Sequence, residues 1–117
     1  MSAKPAPKPR KLNDAQTLLV AQIMDIRGQV IAPEHQFHET RKWRIDVALV
    51  DPKIAVEIDG GAWTQGRHGR GAGIEKDNEK YAALAIAGWR LIRCTPGQVK
   101  KGVVIAWIRQ ALAAEAA

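Results

Sequence analysis

Between residues 54 and 94 the chain reads as strand, helix, strand, and this order limits the fold more than any other feature. IAVEID (54–59) alternates Ile54, Val56 and Ile58 with Ala55, Glu57 and Asp59, the period of a strand. A helical pattern follows from about Glu75 to Ala87, with Tyr81, Leu84 and Ala85 as its inward stripe and Gly88 as its stop, and RLIRC (90–94) is a second strand. Two strands joined through a helix become parallel, with a right-handed crossover. Upstream, WRIDVALV (43–50) sets Trp43, Ile45, Val47 and Leu49 on one face and Arg44, Asp46 and Ala48 on the other, and Asp51-Pro52 turns it back into the 54–59 strand. A hairpin feeding a βαβ unit requires a mixed sheet.

The flanks complete an αβββαβα order. Asn13 or Asp14 caps a first helix whose Ala15, Leu18, Leu19, Ile23 and Ile26 recur at three and four, ending at Gly28. Residues 34–38 are a weak strand candidate, Thr95-Pro96-Gly97 is a turn, and Val104, Trp107, Ile108, Ala111 and Leu112 mark a last helix. At 117 residues and 46% hydrophobic, the chain suits one compact domain over residues 13–117, behind a basic, Pro-rich flexible tail over 1–12. A lone cysteine, Cys94, excludes an internal disulfide framework, and no apolar run reaches the length of a secretory or membrane-spanning segment. These features predict a reducing cytoplasm and no membrane partner.

The net charge of +6 and pI near 9.8 favour a polyanionic partner, nucleic acid ahead of an anionic membrane. Four of the positive charges, Lys4, Lys8, Arg10 and Lys11, lie in the tail, which reads as a sequence-blind phosphate contact. The remainder is nearly balanced. Against that background the hairpin carries an unusual polar face. Asp46, Glu57 and Asp59 are all acids, and Lys53 in the turn is the only base interleaved with them. If the two strands pair, Asp46 and Glu57 project from one side of the sheet with Asp59 one repeat further on. Carboxylates that close repel one another unless a cation sits among them, and an all-oxygen set suits Mg²⁺, with Mn²⁺ able to substitute.

An acid on one strand and an element led by an acid on the next, within an αβββαβ core, resembles the PD-(D/E)XK nucleases, whose second element reads acidic-x-Lys. Asp46 matches the first acid, and Glu57-Ile58-Asp59 the second element. The closer likeness is to small phage and bacterial endonuclease domains related to the very-short-patch repair enzymes. EIDGG, GRHGRG, EKDNEKYAALAIAGW and RLIRC carry it, over roughly residues 30–100. The resemblance implies a restriction-endonuclease-like α/β fold, its mixed sheet flanked by helices with a C-terminal helix added. It also implies Mg²⁺-dependent hydrolysis of DNA phosphodiester bonds, on branched or mismatched DNA in repair or recombination, inside a bacterial or phage-infected cell.

On this reading Asp46, Glu57 and the Ile58 carbonyl hold the metal. Asp59 stands where the motif has Lys, so the resemblance implies a lysine from the following helix, Lys80 ahead of Lys76. Asp59 then completes a second metal position or holds Lys80. Six of the ten glycines fall between Gly60 and Gly73, and within this loop Arg67 and Arg70 read as a phosphate clamp, His68 as a general base or phosphate contact, and Trp63 as a stacking surface. Trp43, Trp89 and Trp107 read as core, while His35, His38 and Cys94 lack zinc-ligand spacing. The alternative is a non-catalytic DNA-binding module that keeps the fold after losing its lysine. Cutting both strands of a duplex with one site this small calls for a homodimer or two successive nicks.

Overall fold

A computed structural model describes residues 11–60 and 72–116. Its elements run α1 (Asp14–Met24), β1 (Ile31–Gln36), β2 (Arg44–Leu49), β3 (Ile54–Ile58), α2 (Ala72–Ile86), β4 (Arg90–Cys94), α3 (Pro96–Lys100) and α4 (Val103–Ala116). The strands form one sheet in the order β1-β2-β3-β4. β1 and β3 each pair antiparallel with β2, and β3 pairs parallel with β4, as a hairpin feeding a βαβ unit requires. The fold is α/β, a mixed sheet flanked by helices with a helix at its C-terminal end.

Alternation along the strands separates two apolar layers. On one side Val47, Leu49, Ile54, Val56 and Cys94 pack with Leu19 and Ile23 of α1, Val99 of α3 and Val104 and Ile108 of α4. On the other, Ala48 and Ala55 meet Leu84 of α2, with Tyr81, Trp89 and Leu91 packed around them. The small side chains of the second face leave room for α2 to lie close to the sheet, which carries its polar residues to the strand ends.

Helix ends follow local chemistry. Asn13 Oδ1 accepts from the Gln16 amide at 2.8 Å while Gln16 Oε1 accepts from the Asn13 amide at 3.0 Å, a reciprocal cap that starts α1. Thr95 and Gln98 repeat the device, and with Pro96 at the first helical turn they convert the expected 95–97 turn into α3.

Several sequence expectations are corrected. The first strand is Ile31–Gln36 rather than 34–38. Pro33 breaks the sequence pattern, yet it lies on an edge strand, where a missing N–H is tolerated. Leu18 and Trp107 are each 36% exposed, and Ala85 is also exposed. Their helices turn these positions to the border of the packed stripe, which Leu19 and Ile23, Ile108, and Leu84 fill. Trp43 is half-buried outside both layers, its ring against Phe37 and His38 and under the Arg41 guanidinium at 4.2 Å. Ile45 does not share the face of Val47 and Leu49 but joins Ala48, Ala55 and Leu84. The alternation of β2 breaks where its backbone pairing to β3 ends, beside Asp46.

Candidate functional site

The Cα pairing of β2 with β3 runs from Leu49–Ile54 to Val47–Val56, and the next residues along are Asp46 and Glu57. There the two side chains take over from the ladder. The Asp46 amide donates to Glu57 Oε2 at 3.0 Å, and the Ile58 amide donates to Asp46 Oδ2 at 2.7 Å. Each acid therefore satisfies a main-chain N–H of the opposite strand, which fixes both carboxylates at the point where the strands part.

Glu57 is buried, and a buried carboxylate needs a partner. Lys80 supplies it. From α2, its Nζ donates to Glu57 Oε1 and, at 2.7 Å, to the carbonyl of Arg44. Only 17% of the Lys80 side chain and 8% of that of Glu57 remain exposed. Lys80 borders the stripe of Tyr81 and Leu84 that faces the sheet, so its stem runs inward. Lys76, one turn earlier, is exposed.

Two polar residues of this cluster carry no motif. Gln16 is buried at 4% exposure and reaches from α1 with Nε2 to both Glu34 Oε2 and the Asp46 carbonyl, each at 3.0 Å. Glu34 lies on β1 between the pairs Pro33–Val47 and His35–Ile45, alongside Asp46, with a left-handed φ of 52°. A glutamine at the spacing of Leu19 and Ile23 on an otherwise apolar helix face was the available signal for the first. Nothing in the local pattern marks the second.

The electrostatics follow from this crowding. Burial, then the Glu57 charge, push the Asp46 carboxyl up to about 6 from its ordinary 3.8; the Ile58 N–H and Lys80 pull the other way, and Glu34 adds to the rise. Lys80 is the cation that lowers the Asp46 pKa here, against the Glu57 and Glu34 charges that raise it. Because its folded pKa lies above the unfolded value, Asp46 adds stability that is complete below about pH 3.8 and lost as pH rises through about 6. In metal-free buffer at pH 8, Asp46→Asn is expected to resist urea better than the parent, by about 1–2 kcal/mol after allowance for solvent screening. The gap should close toward pH 4. Equal stability at pH 8 would mean that Lys80 already compensates the Asp46 charge.

Asp59 lies past the end of β3. Its carboxylate pairs with Arg93 Nη2 at 3.0 Å, both side chains about half exposed, whereas Lys80 bonds to Glu57 and the Arg44 carbonyl. Cys94 is buried, its thiol pushed up to about 11 mainly by burial. His35 packs against Trp89, and His38 Nδ1 accepts from the amides of Thr40 and Arg41. Lys11 is exposed. The remaining expected contacts, Trp63, Arg67, His68 and Arg70 of the glycine loop and Lys4, Lys8 and Arg10 of the tail, lie outside the described residues.

Among the described residues no three His, Cys, Asp or Glu side chains form a group able to hold a metal ion. Asp46 and Glu57 bring two carboxylates to the point where the strands part; both Glu57 oxygens accept hydrogen bonds, from the Asp46 amide and Lys80, while Asp46 Oδ1 takes none from a described residue. A donor set of this size fits Mg²⁺, which is commonly held by one or two carboxylates and keeps several waters. Among the described residues no helix is long and apolar enough to cross a membrane. Comparisons with protein families, with curated proteins and with solved structures found no match.

Proposed function

We propose that the chain is a metal-dependent endodeoxyribonuclease or nickase with a restriction-endonuclease-like core, acting on branched or mismatched DNA. One observation carries the reading. The strand motif that resembles the nucleases has Asp59 where they have Lys, and an ammonium from α2, that of Lys80, meets Glu57 beside Asp46 instead. Two acids and a lysine converging where two central strands separate is the constellation that phosphodiester hydrolysis needs, and a buried ion pair is a costly way to gain stability alone.

Asp46, Glu57 and the Ile58 carbonyl would hold Mg²⁺, or Mn²⁺ in its place. When bound, the metal supplies Lewis-acid polarisation of the phosphate and a water of lowered pKa. Lys80 orients the attacking water and balances the charge growing on the phosphate, a contribution of a few kcal/mol from a preorganised site. Asp46 and Glu57 are themselves held by main-chain N–H groups, so little reorganisation accompanies the chemistry. Arg67, His68 and Arg70 are the loop contacts for phosphate, and the basic tail adds affinity without sequence preference.

A second reading has its own support: both Glu57 oxygens are already bonded within the protein, which suits a DNA-binding module that no longer cuts. Supercoiled plasmid separates the two. The nuclease converts it to nicked circles with Mg²⁺ or Mn²⁺ and leaves it intact with EDTA. Intact plasmid in Mg²⁺, together with a gel shift of DNA in Ca²⁺, overturns the nuclease and leaves the binding module.

A further inference from the structure

We propose that Arg93, laid on the ring of Tyr81 and restrained by Asp59, is a binding position for a phosphodiester oxyanion of the DNA strand, and that Asp59 competes with the DNA for it. The inference deepens the DNA reading of the same site and rests on it. Its starting point is register. In the parallel pairing of β3 with β4, Glu57 and Arg93 are Cα partners, as are Ala55 and Leu91. Ala55 and Leu91 pack against the α2 side of the sheet. Arg93 therefore stands on that same side, one strand over from Glu57, and the Lys80–Glu57 pair and the Arg93 guanidinium are neighbours across the sheet.

The guanidinium is prepared for an anion. Its carbon lies 4.8 Å from the centroid of the Tyr81 ring, a stacking that holds the planar fork and reduces the rotamer freedom lost on binding. Among the described residues it makes one hydrogen bond, from Nη2 to Asp59 Oδ2, which leaves donors for a second oxygen. The side chain is 51% exposed and that of Asp59 52%. An ion pair this open contributes little to stability, so its carboxylate is readily exchanged for a phosphate that a guanidinium matches with two parallel bonds. Arg90 of the same strand shows the contrasting case: it is tied to the Ala111 carbonyl and Glu115 of α4, and so serves the packing of that helix.

The test measures binding without cleavage, using a labelled four-way junction and a linear duplex of the same sequence in EDTA over a range of salt. Arg93→Ala is expected to weaken binding about tenfold and to flatten the salt dependence by about one counterion. Asp59→Asn should tighten binding several-fold in the parent and do nothing in the Arg93→Ala background. That dependence separates release of Arg93 from a general loss of negative charge. Arg41→Ala is the control, removing another exposed arginine that lies on an aromatic ring and pairs with an acid, Glu79; its effect should be independent of Asp59→Asn. An unchanged salt slope in Arg93→Ala, equal tightening by Asp59→Asn in both backgrounds, or no binding by the parent each overturns the proposal. A parent that binds but leaves plasmid intact in Mg²⁺ defeats the nuclease reading alone, and the Arg93–Asp59 cycle still decides this one.

Discussion

Asp46→Asn and Glu57→Gln are each expected to lower Mg²⁺-dependent nicking by about three orders of magnitude, close to 4 kcal/mol of barrier. Both preserve side-chain size, and both keep a carbonyl oxygen that can accept the main-chain N–H now bonded to the acid, from Ile58 and from Asp46. The fold should therefore persist. What disappears is the negative charge that would hold the metal, so DNA binding in Ca²⁺ or EDTA should be kept or strengthened as repulsion from the phosphates falls. Parent-like circular dichroism for both variants would show that the loss is chemical, with a urea midpoint at or above that of the parent for Asp46→Asn and a lower one for Glu57→Gln, whose amide leaves the Lys80 ammonium without its anion. Full nicking by either variant would remove Asp46 and Glu57 from the metal site.

Lys80→Ala should show an effect of similar size with an added structural component. It removes the ammonium expected to orient the attacking water, at a cost of about 10²–10³ in rate. It also leaves the buried Glu57 carboxylate without its cation, and breaking such a pair costs up to about 3–5 kcal/mol when fully buried and less at the exposure seen here. The double variant Glu57→Gln with Lys80→Met separates the two components, because it removes both charges at nearly constant volume. It should recover much of the stability and none of the activity. Lys76→Ala, at an exposed position on the preceding turn, should change neither by more than a fewfold. Equal losses from Lys76→Ala and Lys80→Ala would overturn the role given to Lys80.

The sequence made the scaffold of this site easier to read than its cross-links. Strict alternation in 54–59 and the Tyr81, Leu84 stripe locate β3 and α2, because period and burial agree there, and the stripe orients Lys80 inward without further information. The partnership of Asp46 with Glu57 depends on register, which hairpin spacing permits but does not impose. Ile45 leaves the expected face because two side-chain hydrogen bonds replace the ladder beside it, and a local pattern holds no record of bonds between strands. Gln16 and Glu34 meet Asp46 from elements 30 and 12 residues earlier in the chain, so only the assembled sheet and helix bring them together. Trp107 shows the reverse error: a large apolar residue on a helical stripe reads as core, yet Ile108 already fills the space against the sheet.

β1 closes the acid-bearing side of the sheet, and its composition has a consequence for how copies of this protein meet. An outer strand with regular N–H and C=O groups is a template on which another chain can add, the usual beginning of edge-to-edge aggregation. Here Pro33 has no N–H to offer, and the left-handed backbone of Glu34 interrupts the extended run one residue later. Both features blunt this border as a template for a strand from a neighbour. Concentrated protein is thereby spared one route to aggregation, and of the two outer strands of the described sheet β4 is the better template for strand addition.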